Sequence, residues 1–320
     1  MAKTKEISRR IKSVSSTKKI TKAMEMVAAS KMKKAIDAVL KTRRYAGLSW
    51  EMVWHLAKLN KNSSESLHPL LTPRLEIKKV GVILITANRG LCGGYNTAVI
   101  NKSKEIFKNH NFQVDFILAG KKGASIHNQG HNIAAEFEKS ELLTETVEIY
   151  PIVKMVLADY QSGKYDQIFV AYTDFINPVK QIPRVKQLLP VEAGAADENL
   201  GNASNQAADD KINSRKFPNN QETPDAKKNS GEVINEYIFE PSPTEVLDLL
   251  IPRLLEVQLY QAFLEANASE HSARMTAMHQ ATEAADDMVS ELTLFYNKAR
   301  QAAITGEIAE ISAGANALAE

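Results

Sequence analysis

The segment ANRGLCGGYN, residues 87–96, comes closer than any other part of the sequence to an enzyme site. It follows an apolar run and precedes helix-forming sequence, which is where α/β proteins place phosphate-binding loops. The spacing of Gly90, Gly93 and Gly94 fits neither the dinucleotide-binding fingerprint nor the P-loop, and no Lys-Ser or Lys-Thr pair follows. Cys92 is a potential nucleophile, yet the neighbouring sequence supplies no base. We therefore predict a tight turn with unusual backbone angles and Cys92 packed beneath it.

The histidines and clustered carboxylates are poorly spaced for metal binding or proton transfer. His127 and His131 are separated by Gly130, and no carboxylate is placed to complete a site. His271 and His279 are eight residues apart in helix-forming sequence, without the H-E-x-x-H spacing of zinc proteases. The sequence therefore predicts no catalytic residue, metal site or cofactor. Four carboxylates near the carboxyl terminus are predicted to form a solvated helix face: Glu283, Asp286, Asp287 and Glu291.

The middle of the chain alternates between strand-like and helix-like segments. Near-continuous apolar runs are typical of strands that are buried on both faces. Their alternation with helical patterns predicts a Rossmann-like, mostly parallel α/β domain built from residues 75–191 and 233–242. The predicted strands are 80–86, 114–120, 166–175 and 236–241, and the predicted helices lie near 95–109, 121–128 and 141–162.

Residues 192–232 interrupt this domain. They contain almost no large apolar side chains. A segment of this composition cannot bury enough apolar surface to fold. We predict a disordered surface insertion.

The amino-terminal segment, residues 1–66, is predicted to form one long helix. From Thr4 to about Lys61 it contains no proline and only Gly47 as a glycine, and Pro69 marks its end. Its apolar stripe is narrow, so the helix needs a partner. The stripe is predicted to begin with Ile7, Ile11 and Val14 and to continue, after a phase shift, with Ile20, Met24 and Val27.

The carboxyl-terminal segment, residues 243–320, is predicted to be a second long helix. No proline follows Pro252, and only Gly306 and Gly314 interrupt the helical sequence after it. Its apolar residues step by three and four, as in a coiled-coil heptad. The predicted seam comprises Met278, Ala281, Ala285, Met288, Leu292, Phe295, Ala299 and Ala302.

The two terminal segments are complementary in charge. Residues 1–44 contain 14 Lys/Arg against 3 Asp/Glu, whereas residues 244–320 contain 4 Lys/Arg against 12 Asp/Glu. Two narrow-seamed helices of opposite charge are natural partners. We predict that they pair as an antiparallel two-helix coiled coil, with the α/β domain at the end where they diverge.

Other partners for the basic stretch KITKAMEMVAASKMKKA, residues 19–35, are less favoured. A nucleic-acid arm would carry aromatic residues to stack on bases, and a membrane-surface helix would carry a Trp, Phe or Leu face. An organelle-targeting peptide would be richer in Arg and Ser. One cysteine precludes an internal disulfide, and no apolar run approaches the roughly 20 residues of a membrane span.

Four segments, spread over the chain, resemble signature sequences of the gamma subunit family of bacterial-type F1Fo ATP synthase. They are KITKAMEMVAASKM, RGLCGGYN, ASEHSARMTAM and YNKARQAAIT. The resemblance covers nearly the whole chain except residues 192–232. It implies a non-catalytic rotor shaft inside a ring of three alpha and three beta subunits, on a base that contacts the epsilon subunit and the c-ring of Fo. It also implies coupling of proton- or sodium-driven c-ring rotation to ATP synthesis and hydrolysis at the alpha/beta sites.

The same resemblance implies particular contact residues and a location. The family's rotor–stator contact falls on Met24, and its contact with the catch loop of the beta subunit falls on Arg274, Gln301 and Thr305. The implied location is the cytoplasmic face of the bacterial plasma membrane, with membrane association only indirect, through Fo. Because the motifs begin within the first ten residues, we expect no transit sequence. The alternative from the sequence is an independent α/β nucleotide-using enzyme with helical arms.

Overall fold

Two helices from opposite ends of the chain dominate the structure, a computed structural model. Helix α1 spans Ala2–Asn62 and helix α4 spans Pro243–Ala319, about 90 and 115 Å at ~1.5 Å per residue. They run antiparallel. An α/β base packs against both of them, near residues 35–39 of α1 and 247–268 of α4. The predicted insertion at 192–232 and the predicted strand at 236–241 lie outside the described residues. Those residues are 2–62, 68–74, 76–108, 112–141, 146–190 and 243–319.

The base is a five-stranded sheet with the order β3-β2-β1-β4-β5. Its first four strands are parallel and β5 is antiparallel to β4, so the predicted mostly parallel sheet is confirmed. The strands are β1 (Lys79–Ile85), β2 (Gln113–Ala119), β3 (Asn132–Phe137), β4 (Gln167–Phe175) and β5 (Gln181–Leu189).

Helices cover both faces of this sheet. Helix α2 (Tyr95–Phe107) buries Val99 and Phe107 on one face, together with Phe116 and Phe169 from the strands. The other face packs against helix α3 (Tyr150–Gln161) and against α1 and α4. Since the larger core is shared between the sheet and the two long helices, the base and the shaft fold as one body.

The strands that the sequence missed lie at the two edges of the sheet. β3 alternates between exposed and half-buried residues, and β5 contains Pro183, Arg184 and Lys186, so neither shows the continuous apolar run of a central strand. The predicted helix near 121–128 is 3-10 in geometry, over Lys121–Gln129. The predicted helix near 141–162 begins only at Tyr150, after a 3-10 turn at Thr146–Glu148.

The seam of α1 differs from its predicted course. Ile20 and Val27 are 60% and 55% exposed, and the predicted phase shift is wrong. The stripe instead keeps its original phase through polar residues, because these have partners on α4. It runs through Ile7, Ile11, Val14, Lys18, Thr21, Glu25 and Ala28.

The seam of α4 shares only part of the predicted set. Met278, Ala285, Leu292 and Ala299 face α1, but Met288 and Phe295 are 44% and 50% exposed and Ala302 is also exposed. The predicted seam is therefore wrong at Met288, Phe295 and Ala302, where the apolar residue lies beside the true seam, while Ala281 is half-buried. The positions that face α1 there are Thr282, Val289, Tyr296 and Ala303.

Candidate functional site

Polar pairs fix the register of the two long helices. Lys18 Nζ lies 2.5 Å from Asp286 Oδ1, and the Thr282 hydroxyl donates to the Thr21 hydroxyl over 2.9 Å. His279 Nδ1 lies 3.3 Å from Glu25 Oε1 on α1. Thr21 and Thr282 lie in the seam, where polar groups specify alignment at some cost in stability, and the two more exposed pairs flank them; a slipped register would leave all of these groups unpaired. Extrapolated along both helices, this register places the start of α1 near residue 302 of α4, so the rest of α4 continues as a single helix.

The crevice that would hold a ligand in an α/β domain of this topology is filled by α4. β1 connects to β2 on one side and neighbours β4 on the other, which makes the carboxyl ends of β1 and β4 the topological switch point. Ser269 of α4 donates to the carbonyl oxygen of Thr173 at 3.1 Å, and the Tyr95 hydroxyl donates to that of Ala266 at 3.2 Å. Ser272 donates to the carbonyl oxygen of Pro178 at 2.7 Å. The base therefore uses its crevice as a socket for the shaft.

A buried charge cluster joins this socket to the sheet. Lys139, just after β3, places Nζ 2.6 Å from Glu270 Oε2, and both side chains are almost completely buried. Arg274 Nη2 lies 2.9 Å from the other carboxylate oxygen of Glu270. Burial raises the pKa of Glu270, but Lys139 and Arg274 lower it by more, so the net pKa lies below its ordinary value. Glu270 is thus an ionised group held between two cations.

The 88–94 loop packs against α4 beside this cluster. Leu91 has a φ of 62° and Gly93 a φ of 56°, as the predicted tight turn requires, while Cys92 is 1% exposed beneath it. Burial raises the pKa of the Cys92 thiol, partly offset by Arg274. A buried thiol with a raised pKa is a poor nucleophile. The turn prediction for this segment is confirmed.

A second buried polar network connects both shaft helices to the sheet. Thr42 of α1 donates to Gln261 at 2.7 Å, and Gln261 in turn donates to Glu265 at 2.8 Å, both on α4. Burial raises the pKa of Glu265 to about 7, with repulsion from Asp174 as the next cause. Arg184 Nη2 lies 2.8 Å from Asp174 Oδ2. The carboxyl groups of Glu265 and Asp174 therefore lie close together at the joint between shaft and base, where burial and mutual repulsion favour protonation of Glu265.

The histidines that remain as candidates for chemistry, His131 and His271, are both packed against other groups of the protein. Burial lowers the pKa of His131, and the positive charge of Lys104 lowers it further. The His131 ring packs edge-on against the Phe116 ring. His271 is buried with Nε2 3.1 Å from the carbonyl oxygen of Glu141, and burial lowers its pKa. Within the described ranges, no three His, Cys, Asp or Glu side chains are grouped as metal ligands would be. In that same part of the chain, no helix has both the length and the apolar character of a bilayer span.

A polar cleft of about 540 Å³ opens at the carboxyl ends of β1, β2 and β3. Its charged walls are already paired: Lys121 lies 3.2 Å from Glu138, and Arg89 lies 3.5 Å from Glu141. Glu141 also forms an ion pair with Lys31 of α1. The cleft is thus lined by ion pairs, and the one formed by Glu141 and Lys31 joins the base to α1.

The four predicted contact residues lie in separate places. Met24 is half-buried beside the seam of α1, and Arg274 is turned inward at the 88–94 loop. Gln301 and Thr305 are exposed, one helical turn apart, where α4 passes the start of α1. About 40 Å of helix separates Arg274 from Gln301 at ~1.5 Å per residue. Sequence reasoning missed Lys139, Glu270, Glu265 and Asp174. The three acidic residues have as their only signal a charge inside an otherwise apolar or small-residue run, whereas Lys139 lies among charged residues and has no such signal.

Comparison with known proteins identifies the family. Residues 3–318 match the family model described as ATP synthase. The chain is 40% identical over 327 residues to the ATP synthase gamma chain of Herpetosiphon aurantiacus, with 99% of each chain covered. It is 38% identical over 322 residues to the ATP synthase gamma chain of Legionella pneumophila, covering 99% of this chain and 100% of that one.

Solved structures share the fold at lower sequence identity. A chain in the OSCP/F1/c-ring structure of Euglena gracilis mitochondrial ATP synthase superposes with a TM-score of 0.63 at 17% identity, covering 99% of this chain and 95% of that one. A chain in the central stalk/c-ring structure of the Tetrahymena thermophila enzyme gives a TM-score of 0.55 at 22% identity, covering 82% and 99%. With the full-length curated relatives, these findings show that the chain belongs to the ATP synthase gamma chain family.

Proposed function

We propose that this chain is the central rotor shaft of an F1Fo ATP synthase. The observation that carries the proposal is the long antiparallel pair of α1 and α4, held in register by Lys18–Asp286, Thr21–Thr282 and Glu25–His279, above a base built around α4. A stiff rod joined to its base by buried charges can transmit twist, whereas a flexible tether would dissipate it. The shaft carries torque and makes or breaks no covalent bond.

The filled crevice disfavours the alternative of a nucleotide-using enzyme. A nucleotide at the switch point would have to displace α4 residues such as Ser269 and Ser272, together with their hydrogen bonds to the base. The chain's family consists of non-catalytic central-stalk subunits. Purified alone, the chain should neither bind ATP tightly nor hydrolyse it.

The proposed mechanism depends on asymmetry. A rotor shifts the equilibrium of a catalytic site only through contacts that differ between its orientations. The basic α1 and the acidic α4 give the shaft two electrostatically different sides. Each beta subunit in a ring of three alpha and three beta subunits would meet these sides in turn. Met24, Arg274, Gln301 and Thr305 are the contact residues that the family resemblance proposes.

The proposed assembly places the base of the shaft near the membrane. Its partners there are the epsilon subunit and the c-ring of Fo, which is driven by protons or sodium ions. The proposed location is the cytoplasmic face of a bacterial plasma membrane, with the chain held there through Fo.

Co-expression with alpha and beta subunits tests the shaft. The chain should co-purify with them as a complex that hydrolyses ATP. Gln301→Leu should lower that hydrolysis or the yield of complex, because it removes an exposed amide from the proposed contact. The matched change Gln280→Leu, also exposed but outside this contact, should have a smaller effect. Failure to co-purify would overturn the shaft, and full activity of Gln301→Leu in a normal complex would remove Gln301 from the contact.

A further inference from the structure

Arg274 is directed into its own chain. Only 12% of its side chain is exposed, and Nη2 lies 2.9 Å from Glu270 Oε1. The same nitrogen lies 3.4 and 3.5 Å from the carbonyl oxygens of Arg89 and Gly90 in the 88–94 loop. Nη1 lies 3.4 Å from His271 Nδ1. One planar guanidinium thus connects α4 to two successive loop carbonyls.

Glu270 fixes the direction of this guanidinium. Its second carboxylate oxygen is held by Lys139 at 2.6 Å, and the Lys139 ammonium also lies 5.7 Å from the centre of the Tyr95 ring. With both oxygens engaged and the carboxylate buried, Glu270 cannot turn to another partner without leaving a buried cation unpaired. Arg274 is therefore held toward the loop by a rigid anion.

The loop itself needs such support. A left-handed backbone is unfavourable for a residue with a branched side chain such as Leu91, yet Leu91 adopts a φ of 62° with 61% of its surface exposed. Gly93 follows with a φ of 56° and lies against Ala277 of α4. Strained backbone of this kind persists only where its surroundings hold it.

We propose that Arg274 is a positioning residue, a clamp that Glu270 directs and that holds the 88–94 loop onto α4 in its strained form. Lys139 has a separate task on the other side of Glu270, which is to tie α4 to the end of β3. The statement that the held loop matters for rotation rests on the proposed function. The statement that Arg274 holds the loop does not. Arg274 thus acts on the loop, and the contact with a beta subunit that the family resemblance proposes for Arg274 would pass through the loop that it holds.

The chain's single cysteine offers a direct measurement. Cys92 belongs to the 88–94 loop and is only 1% exposed, so its reaction with a maleimide reports opening of the loop in the purified full-length chain. Arg274→Met removes the contact with the loop and leaves Glu270 paired with Lys139. It should raise the labelling rate at least about tenfold, since hydrogen bonds from a charged group are lost.

Lys139→Met is the matched control. It removes one cation from the same carboxylate but keeps Arg274 and its contacts with the loop carbonyls, so the labelling rate should rise much less than in Arg274→Met. Arg274→Lys keeps the charge beside Glu270 but loses the planar fork, so it too should expose Cys92. Circular dichroism and denaturant unfolding of each variant separate loop opening from loss of the whole fold.

The outcomes are distinct. Unchanged labelling in both Arg274 variants, or equal acceleration by Lys139→Met, would overturn the clamp. Faster labelling in both Arg274 variants, combined with reduced ATP hydrolysis after assembly with alpha and beta subunits, supports the clamp and its role. Faster labelling with normal hydrolysis overturns the role in rotation but leaves the clamp. Failure of the wild-type chain to assemble would contradict the proposed function without affecting the labelling result.

Discussion

Single buried charges determine how the shaft is attached to the base. Glu265 of α4 packs against Tyr172 and Asp174 of β4. Arg184 and Lys186 of β5 are nearby. Gln261, on the same helix as Glu265, donates a hydrogen bond to it. An ionised Glu265 is unfavourable here because burial and Asp174 both oppose it. Lys139 and Glu270 show the opposite balance, since two cations surround one carboxylate. The two sites therefore respond differently to pH.

Glu265→Gln should make the protein more stable in alkali. The pKa of Glu265 is about 7 in the folded chain, above its ordinary 4.5, so the wild type loses stability as pH rises between these values. Gln does not ionise, and the variant should avoid this loss, gaining on the order of 2 kcal/mol at about pH 8.5 and little at about pH 5. Thermal unfolding at both pH values measures the difference. Glu283→Gln, an exposed change on the same helix, should show no such pH dependence.

At the scale of elements, one glycine allows the chain after β2 to lie close to the chain after β1. Gly120 has a φ of 105°, and a Cβ atom there would lie 2.3 Å from the carbonyl oxygen of Thr86. Gly120→Ala should therefore destabilise the protein by roughly 2–4 kcal/mol, from both backbone strain and the clash. Gly130→Ala is the control, since its φ is 84° but its added Cβ would meet nothing within 4 Å. A similar loss for the two variants in denaturant unfolding would mean that the clash contributes nothing.

A cystine across the seam tests the pairing of the long helices. In a Cys92→Ala background, Thr21→Cys with Thr282→Cys should form a disulfide on mild oxidation, because the two hydroxyls lie 2.9 Å apart. Thr17→Cys with Thr282→Cys should not, because Thr17 is exposed and lies one helical turn, about 6 Å, along α1 from Thr21. Gel mobility with and without reductant shows whether the disulfide has formed. If only the second pair closed, the observed register would be wrong.

The elements differ in how far their sequences determine them. The central strands β1, β2 and β4 could be predicted because burial on both faces demands continuous apolar residues. The edge strands β3 and β5 could not, since one side of each lacks a neighbouring strand in the described sheet. The coiled coil followed from charge and heptad spacing, but its seam did not. Met288 and Phe295 lie directly beside Val289 and Tyr296, and only the fold reveals which of the adjacent residues faces α1. The Lys139–Glu270 pair joins residues 131 positions apart, beyond the reach of any local pattern.

The whole molecule leaves an apolar surface at the far end of α4. Beyond the start of α1 the helix continues alone, and Ile304, Ile308 and Ile311 are 47%, 61% and 72% exposed. Exposed apolar residues at successive turns of one helix favour association with another surface. A surrounding ring of subunits would cover this surface in the proposed assembly, while the isolated chain has no cover for it from the described residues.

Ile308→Glu should consequently weaken association both in the isolated chain and in the complex. In the isolated chain, it should reduce concentration-dependent self-association, because a charge interrupts the apolar face; sedimentation velocity over a range of concentrations measures this. In co-expression with alpha and beta subunits, it should lower the yield of complex, because the charge would be buried without a partner. Ala309→Glu, one residue away and also exposed, controls for added charge at the tip. Equal behaviour of the two variants in both measurements would show that the isoleucine face plays no part in association.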